Sequence, residues 1–213
     1  MKLSPKAVAF LGLGIVALAV GAAVATWSFR SENPLQIAGF VYPQPRKMSP
    51  IALTAHDGSA FTLDRLRGKW SFVYFGYTYC PDVCPTTLAE LARVQTLLAA
   101  SGSDRDNQYI FVSVDPKRDT PQHLAKYVSQ FDKKFMGVTG TREALDKFTR
   151  EVGVAYDFPE GTKGENYSVS HSSIVALFDP DARLHAIFTA PHKAETMVKD
   201  FRSLRDRWRR AAS

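Results

Sequence analysis

Residues 70–85 read WSFVYFGYTYCPDVCP, and the reading of this stretch decides the fold. Its first half, residues 70–77, is a compact run of aromatic and β-branched residues of strand length, which predicts a buried strand. Cys80, Pro81 and Cys84 follow. From Pro85 onward the pattern turns helical, with Leu88, Leu91, Ala92, Gln95 and Leu98 recurring at spacings of three and four. A strand therefore runs directly into a helix, and two thiols sit at the junction.

Moving outward, residues 109–114 read as a second strand. Thr120 and Pro121 then open a helix, with Thr as N-cap and Pro at the first helical position. Leu124, Tyr127, Val128 and Phe131 form the apolar stripe of that helix. A short strand at 135–138 follows, and Thr141 caps a helix whose inner face includes Leu145, Phe148 and Val152. A polar, Gly-containing stretch occupies residues 157–167. Residues 172–178 and 184–189 predict a hairpin around Asp179-Pro180-Asp181, and 194–210 a last helix with a basic end. On the N-terminal side, 51–61 reads as a short hairpin around His56-Asp57-Gly58-Ser59. Residues 31–50 carry Pro34, Pro43, Pro45 and Pro50 with little periodicity, and read as an extended tether. Strands alternating with helices, with a late hairpin, give an α/β class and a mostly parallel sheet with an antiparallel edge.

The first thirty residues differ from the rest. Lys2 and Lys6 precede an uncharged run at 7–29, closed by Arg30. Spanning a bilayer takes about 20 apolar residues, so this run predicts a transmembrane anchor helix. The lysines before it favour a cytoplasmic N-terminus and an exported remainder. A cleaved signal peptide is the competing reading, because Ala23-Val24-Ala25 resembles a cleavage site; signal h-regions are shorter, about 7–15 residues. No Arg- and Ser-rich transit segment precedes the run. The expected setting is a bacterial inner membrane, crossed once, with the soluble domain in the periplasm. The expected organisation is an N-terminal segment and anchor at 1–30, the tether at 31–50, and one folded domain at 51–213.

Composition narrows the function. Hydrophobic residues make up 45% of the 213, enough for a packed core and against global disorder. The net charge of +6 gathers toward the termini, and no basic stripe is interleaved with aromatics, so no nucleic-acid partner is expected. Cys80 and Cys84 are the only cysteines. A disulfide between them would close a very small loop and stabilise the fold little on the chain-entropy model. Such a pair suits a reversible redox or metal-binding role better than a staple.

The pair lies where chemistry is favoured. Backbone N–H groups at the start of a helix, with the positive end of its dipole, favour thiolate over thiol. A spacing of four puts both sulfurs on one helical face. Two thiolates are soft ligands that select Cu(I), zinc or iron–sulfur centres. A closed zinc site needs four ligands, which this chain does not readily supply, whereas Cu(I) accepts three. Among five histidines, His56, His123, His185 and His192 read as surface or packing residues. His171 stands directly before the late antiparallel strand, whose start falls at the edge where parallel strands end, the edge at which ligand sites in such sheets collect. These residues alone leave its role as third ligand open against a bland one.

The segment Phe75-Gly76-Tyr77-Thr78-Tyr79-Cys80-Pro81-Asp82-Val83-Cys84-Pro85 resembles the signature of the Sco/SenC family of copper chaperones in cytochrome c oxidase assembly. Val114-Asp115-Pro116, Arg118-Asp119-Thr120-Pro121 and His171-Ser172 resemble further blocks of that family in the same order, over residues 50–200. The resemblance implies a thioredoxin-like fold. It implies that Cys80, Cys84 and His171 bind one copper ion, as Cu(I) or Cu(II), and that Cys80 and Cys84 can form a redox disulfide. Asp115 matches an acidic residue near the metal in the family, and its plain reading is a strand-end turn residue before Pro116. The residue before the histidine is often Asp in the family, and here it is Ser170. The implied partners are the copper-bearing subunit of cytochrome c oxidase and an upstream copper donor or thiol reductant. The implied task is to metallate the binuclear copper centre or to keep its cysteines reduced. A thiol–disulfide reductase without an obligatory metal is the alternative, although such enzymes usually have two residues between their cysteines. A peroxidase and a purely structural envelope domain are weaker alternatives.

Overall fold

The computed structural model describes residues 5–28, 37–159 and 167–212, with no side-chain description for residues 5–11, 13, 25–28 and 212. The chain divides into two units, Met1–Gln36 and Ile37–Ser213. In the first, α1 (Pro5–Ser28) is a continuous helix. Among the described residues no helix is long and apolar enough to cross a membrane.

The second unit is built on the strand that residues 70–77 predict. This is β4 (Trp70–Gly76), in which all seven residues are buried. On one side β4 pairs in parallel with β5 (Asn107–Ser113), which pairs in parallel with β6 (Phe135–Thr139). On the other side it pairs antiparallel with β9 (Ile174–Phe178), which returns through β10 (Leu184–Thr189). The expected late antiparallel hairpin is therefore present, but among the described residues only two of the seven strand pairings of this sheet are parallel, so the sheet is mixed and not the mostly parallel one that the sequence reading expects. The remaining strands of this sheet are β1 (Gly39–Arg46), next to β10, and the pair β2 (Leu53–Ala55) and β3 (Ala60–Phe61), beyond β6.

Alternate residues of β4 point to opposite faces and both faces are covered, which is why the strand carries no polar stripe. Phe72 meets Phe201 of α5 (Ala194–Ala212) at 5.1 Å, whereas Phe75 meets Phe148 of α4 (Arg142–Val152) at 5.4 Å. Burying each of these rings contributes about 1.5–3 kcal/mol. Of the other helices, α2 (Val83–Ala100) packs on α5, and α3 (Pro121–Val128) packs on β6. The N-caps of α3 and α4 are those the sequence predicts. Thr120 accepts from the His123 N–H, Thr141 accepts from the Ala144 N–H, and Gly153 closes α4 at a φ of 88°.

Two segments depart from the sequence reading. The tether is not free chain throughout, because β1 pairs antiparallel with β10 from Gly39 to Val41 and again at Arg46, with an irregularity between. Pro43 and Pro45 hid this strand. As an edge strand it pairs on one side only, where proline's missing N–H is tolerated. Further along, β7 (Tyr156–Asp157) and β8 (Ser170–His171) form a separate two-stranded ribbon, with Tyr156 opposite His171. Most of the polar stretch at 157–167 lies outside the described residues.

Candidate metal centre

Cys80 and Cys84 take their places from the junction of β4 and α2. Leaving β4 at Gly76, the chain turns so that the Cys80 N–H donates to the Tyr77 carbonyl at 3.3 Å. It enters α2 at Val83, so Cys84 lies in the first helical turn and its N–H is free of helical partners. That N–H donates to Cys80 Sγ at 3.4 Å. Both thiols are reduced and buried, Cys84 completely.

Gly76 makes this approach possible. A Cβ at that position would stand 2.6 Å from Cys84 Sγ and 2.9 Å from the Phe111 ring. The sequence carried a signal for this, a glycine inside an otherwise aromatic and β-branched strand, which marks close approach.

His171 arrives on β8. Its Nε2 lies 3.3 Å from Cys84 Sγ, and its Nδ1 lies 3.2 Å from the Ser172 carbonyl. A carbonyl oxygen only accepts, so the proton is assigned to Nδ1 and Nε2 keeps its lone pair toward the sulfurs. The ring stands edge-on to Tyr77 and Tyr74, with centroids 5.9 and 6.3 Å away. Cys80, Cys84 and His171 each offer one ligand atom, and the three atoms lie within 4.8 Å of one another.

The thiols are electrostatically unlike. A hydrogen bond from Cys84 holds Cys80 down to about 5; burial opposes this, and the Asp82 and Cys84 N–H groups and His171 add to it. The same hydrogen bond, together with burial, pushes Cys84 far up. Physically, the pair shares one proton, with the charge on Cys80. The Tyr74 hydroxyl is buried beside Cys84, Thr87 and Ser173 without a hydrogen bond of ordinary geometry, and burial raises its pKa.

Asp115 is fully buried and does not join the three donors. One carboxylate oxygen pairs with Arg118 Nε at 2.5 Å, and the other accepts from the Tyr167 hydroxyl at 2.8 Å. Asp119, which the sequence reading left without a role, accepts from the Thr78 N–H at 2.9 Å and the Thr78 hydroxyl at 2.6 Å. It thereby pins the turn that leads to Cys80, and its own pKa is raised by burial. The other histidines have separate partners. His56 Nδ1 accepts from the Gly137 N–H, His123 meets the Thr78 hydroxyl, His185 lies 3.6 Å from Asp179, and His192 faces Ser173.

Two sulfurs and one imidazole nitrogen suit a soft ion of low coordination number. With bonds of about 2.0–2.3 Å, a trigonal ion needs donors about 3.5–4 Å apart. The 3.3 Å S···N contact and the 4.8 Å span bracket that separation.

A soft-metal donor set at a strand–helix junction, under a sheet covered on both faces, defines a thioredoxin-like metal-binding domain. The chain belongs to the SCO1/SenC family, whose sequence profile matches residues 42–206. A SCO2-like protein of Rickettsia prowazekii is 32% identical over 174 residues, covering 81% of this chain and 84% of that protein. The mitochondrial SCO1 homolog of Homo sapiens is 38% identical over 138 residues, covering 65% of this chain. The match takes in 46% of that human protein, so this chain spans about half of its length. Among solved structures, Arabidopsis thaliana ScoI with copper bound superposes with a TM-score of 0.67 at 34% identity, covering 73% of this chain and 98% of that one.

Proposed function

We propose that this protein carries one copper ion, as Cu(I) or Cu(II), between Cys80, Cys84 and His171. It passes that ion to the binuclear copper centre of cytochrome c oxidase or keeps the cysteines of that centre reduced. The observation that carries the reading is the convergence of two sulfurs and one lone-pair nitrogen within 4.8 Å. Membership of the SCO1/SenC family and the copper in the Arabidopsis relative support it. In this reading the ion is cargo, and the chain's own contribution is to hold it in a buried, three-coordinate set that a partner's ligands can compete for. The test is copper content and affinity of the reduced full chain against His171→Ala. One copper per chain, held much more weakly by the variant, is expected. Equal affinity would remove His171 from the set.

One observation favours a second role for the same thiols. A Cys80 group held down to about 5 is thiolate at neutral pH and competent for thiol–disulfide exchange. Exchange needs no imidazole ligand, so it should survive in His171→Ala, and copper binding should not.

For localisation, the proposal is a single-pass anchor in a bacterial inner membrane, with the domain in the periplasm. The uncharged run at 7–29, with Lys2 and Lys6 before it, is what supports it. An alkaline phosphatase fused after Ser213 should be active, and an inactive fusion would reverse the topology.

A further inference from the structure

Arg118 lies outside the three donors yet touches both the turn that presents Cys80 and the segment that leads to His171. Its guanidinium is nearly buried, with 4% of the side chain exposed, against a fully buried Asp115. It stands over the ring of Tyr167 at 3.5 Å, of Tyr79 at 4.7 Å and of Tyr77 at 5.4 Å. One terminal nitrogen also donates to the Tyr167 carbonyl at 2.9 Å. Tyr77 and Tyr79 belong to the turn that presents Cys80, while Tyr167 begins the segment that ends at His171.

We propose that Arg118 is a positioning residue that clasps the His171-bearing segment onto the cysteine turn and so sets the distance between Nε2 and the sulfurs. This deepens the copper reading above and rests on it. The chemistry of the side chain fits the task. A planar, delocalised cation can stack on aromatic faces and hydrogen-bond in its own plane at once. A lysine ammonium keeps the charge opposite Asp115 and loses both the stacking and the fixed geometry. The clasp is closed on its far side by the Tyr167 hydroxyl, which donates to the second oxygen of Asp115. Besides its edge-on contacts with the Tyr74 and Tyr77 rings, His171 rests on a ribbon of two residues per strand outside the main sheet. What holds Tyr167 therefore contributes to its approach to the sulfurs.

The test is a coupling experiment on the full chain under reducing conditions. Arg118→Lys should weaken copper binding by about tenfold to a hundredfold, the usual cost of removing a group that orients a ligand. In a His171→Ala background the same substitution should change affinity less than twofold, because Arg118 acts through the imidazole. The rate at which Cys80 reacts with a thiol reagent should stay as in wild type. Wild-type affinity for Arg118→Lys would overturn the proposal. So would an equal loss in both backgrounds, which would mark a residue that supports the fold or the thiols. If Arg118→Lys does not fold, Tyr167→Leu removes the ring from the other side and should show the same dependence on His171. The metal-free protein separates this proposal from the copper reading. Ring-nitrogen shifts of His171 should report a fixed Nδ1–H tautomer in wild type and an averaged one in Arg118→Lys, whether or not copper binds. Identical shifts in the two proteins would overturn the clasp.

Discussion

The two thiols and the imidazole reach one point from differently built supports. Cys80 and Cys84 leave the end of a strand paired on both sides and covered on both faces, and Cys84 is locked into the first turn of an eighteen-residue helix. His171 sits on a two-residue strand paired only with another two-residue strand. The cysteine corner shares the stability of the core, whereas the histidine arm is held by a few contacts of its own: Ser172 to Ala155, Tyr156 opposite His171, and the Arg118 clasp. A site assembled this way can keep its sulfurs in place while its nitrogen is the part that moves. Local opening falls on the element with the fewest buried contacts. Under the copper reading proposed above, this places the adjustable ligand at the margin.

The comparison is broken most severely by oxidation. A Cys80–Cys84 disulfide consumes both thiolates of the well-supported half. Titration of the oxidised protein should show loss of tight copper binding by orders of magnitude, and reduction should restore it. Unchanged affinity would mean that the cysteine corner is not where the ion sits.

Gly76→Ala attacks the same corner without touching a donor. The added methyl would meet Cys84 Sγ at 2.6 Å and Phe111 at 2.9 Å, and neither neighbour has room, since both are fully buried. Overpacking of this kind costs about 1–3 kcal/mol. Chemical denaturation should show that loss, together with weaker copper binding. If stability falls and affinity does not, the sulfur can shift without penalty and the corner is less rigid than its packing implies.

These contrasts also explain what could be read from the sequence. The cysteine corner was legible because its signals are local: an apolar run of strand length, then helical periodicity, with the thiols between them. The caps at Thr120 and Thr141 were legible for the same reason. β1 was not, because Pro43 and Pro45 read as tether and only the pairing with β10 shows that an edge accepts them. β7 and β8 are too short for any periodicity. The bringing together of His171 and the sulfurs is a long-range event, and on the residues alone the imidazole's role stayed open. Arg118 and Tyr167 were invisible as a pair, since forty-nine positions separate them and nothing in either neighbourhood announces the other.

The pH dependence sharpens the comparison within the cysteine corner. Cys80 is depressed from its ordinary value to about 5, and Cys84 is displaced upward by the shared proton. Cys80 is therefore thiolate at neutral pH and becomes protonated as pH falls through about 5. Its alkylation rate should be flat from pH 8 to pH 6 and drop below that. Cys84→Ala removes the hydrogen-bond donor to the thiolate, so the midpoint should move up. A midpoint that stays near the ordinary thiol range in wild type would show that Cys84 does not share its proton.

The smallest expected effect lies on the histidine arm and asks which contact holds it. Ser172 Oγ accepts from the Ala155 N–H at 3.1 Å, and the Ser172 N–H donates to the Ala155 carbonyl at 2.8 Å. Ser172→Ala deletes the first bond and keeps the second. The first bond is exposed, so water can replace the lost acceptor, and the cost should be under about 1 kcal/mol. If the arm is held mainly through Tyr167, copper affinity should change less than twofold, far less than for Arg118→Lys. If the ribbon is the principal support, the His171 ring should lose its fixed orientation, and affinity should fall as far as in the Arg118 variant. The ratio of the two losses measures how the arm divides its support between a backbone ribbon and a side-chain clasp.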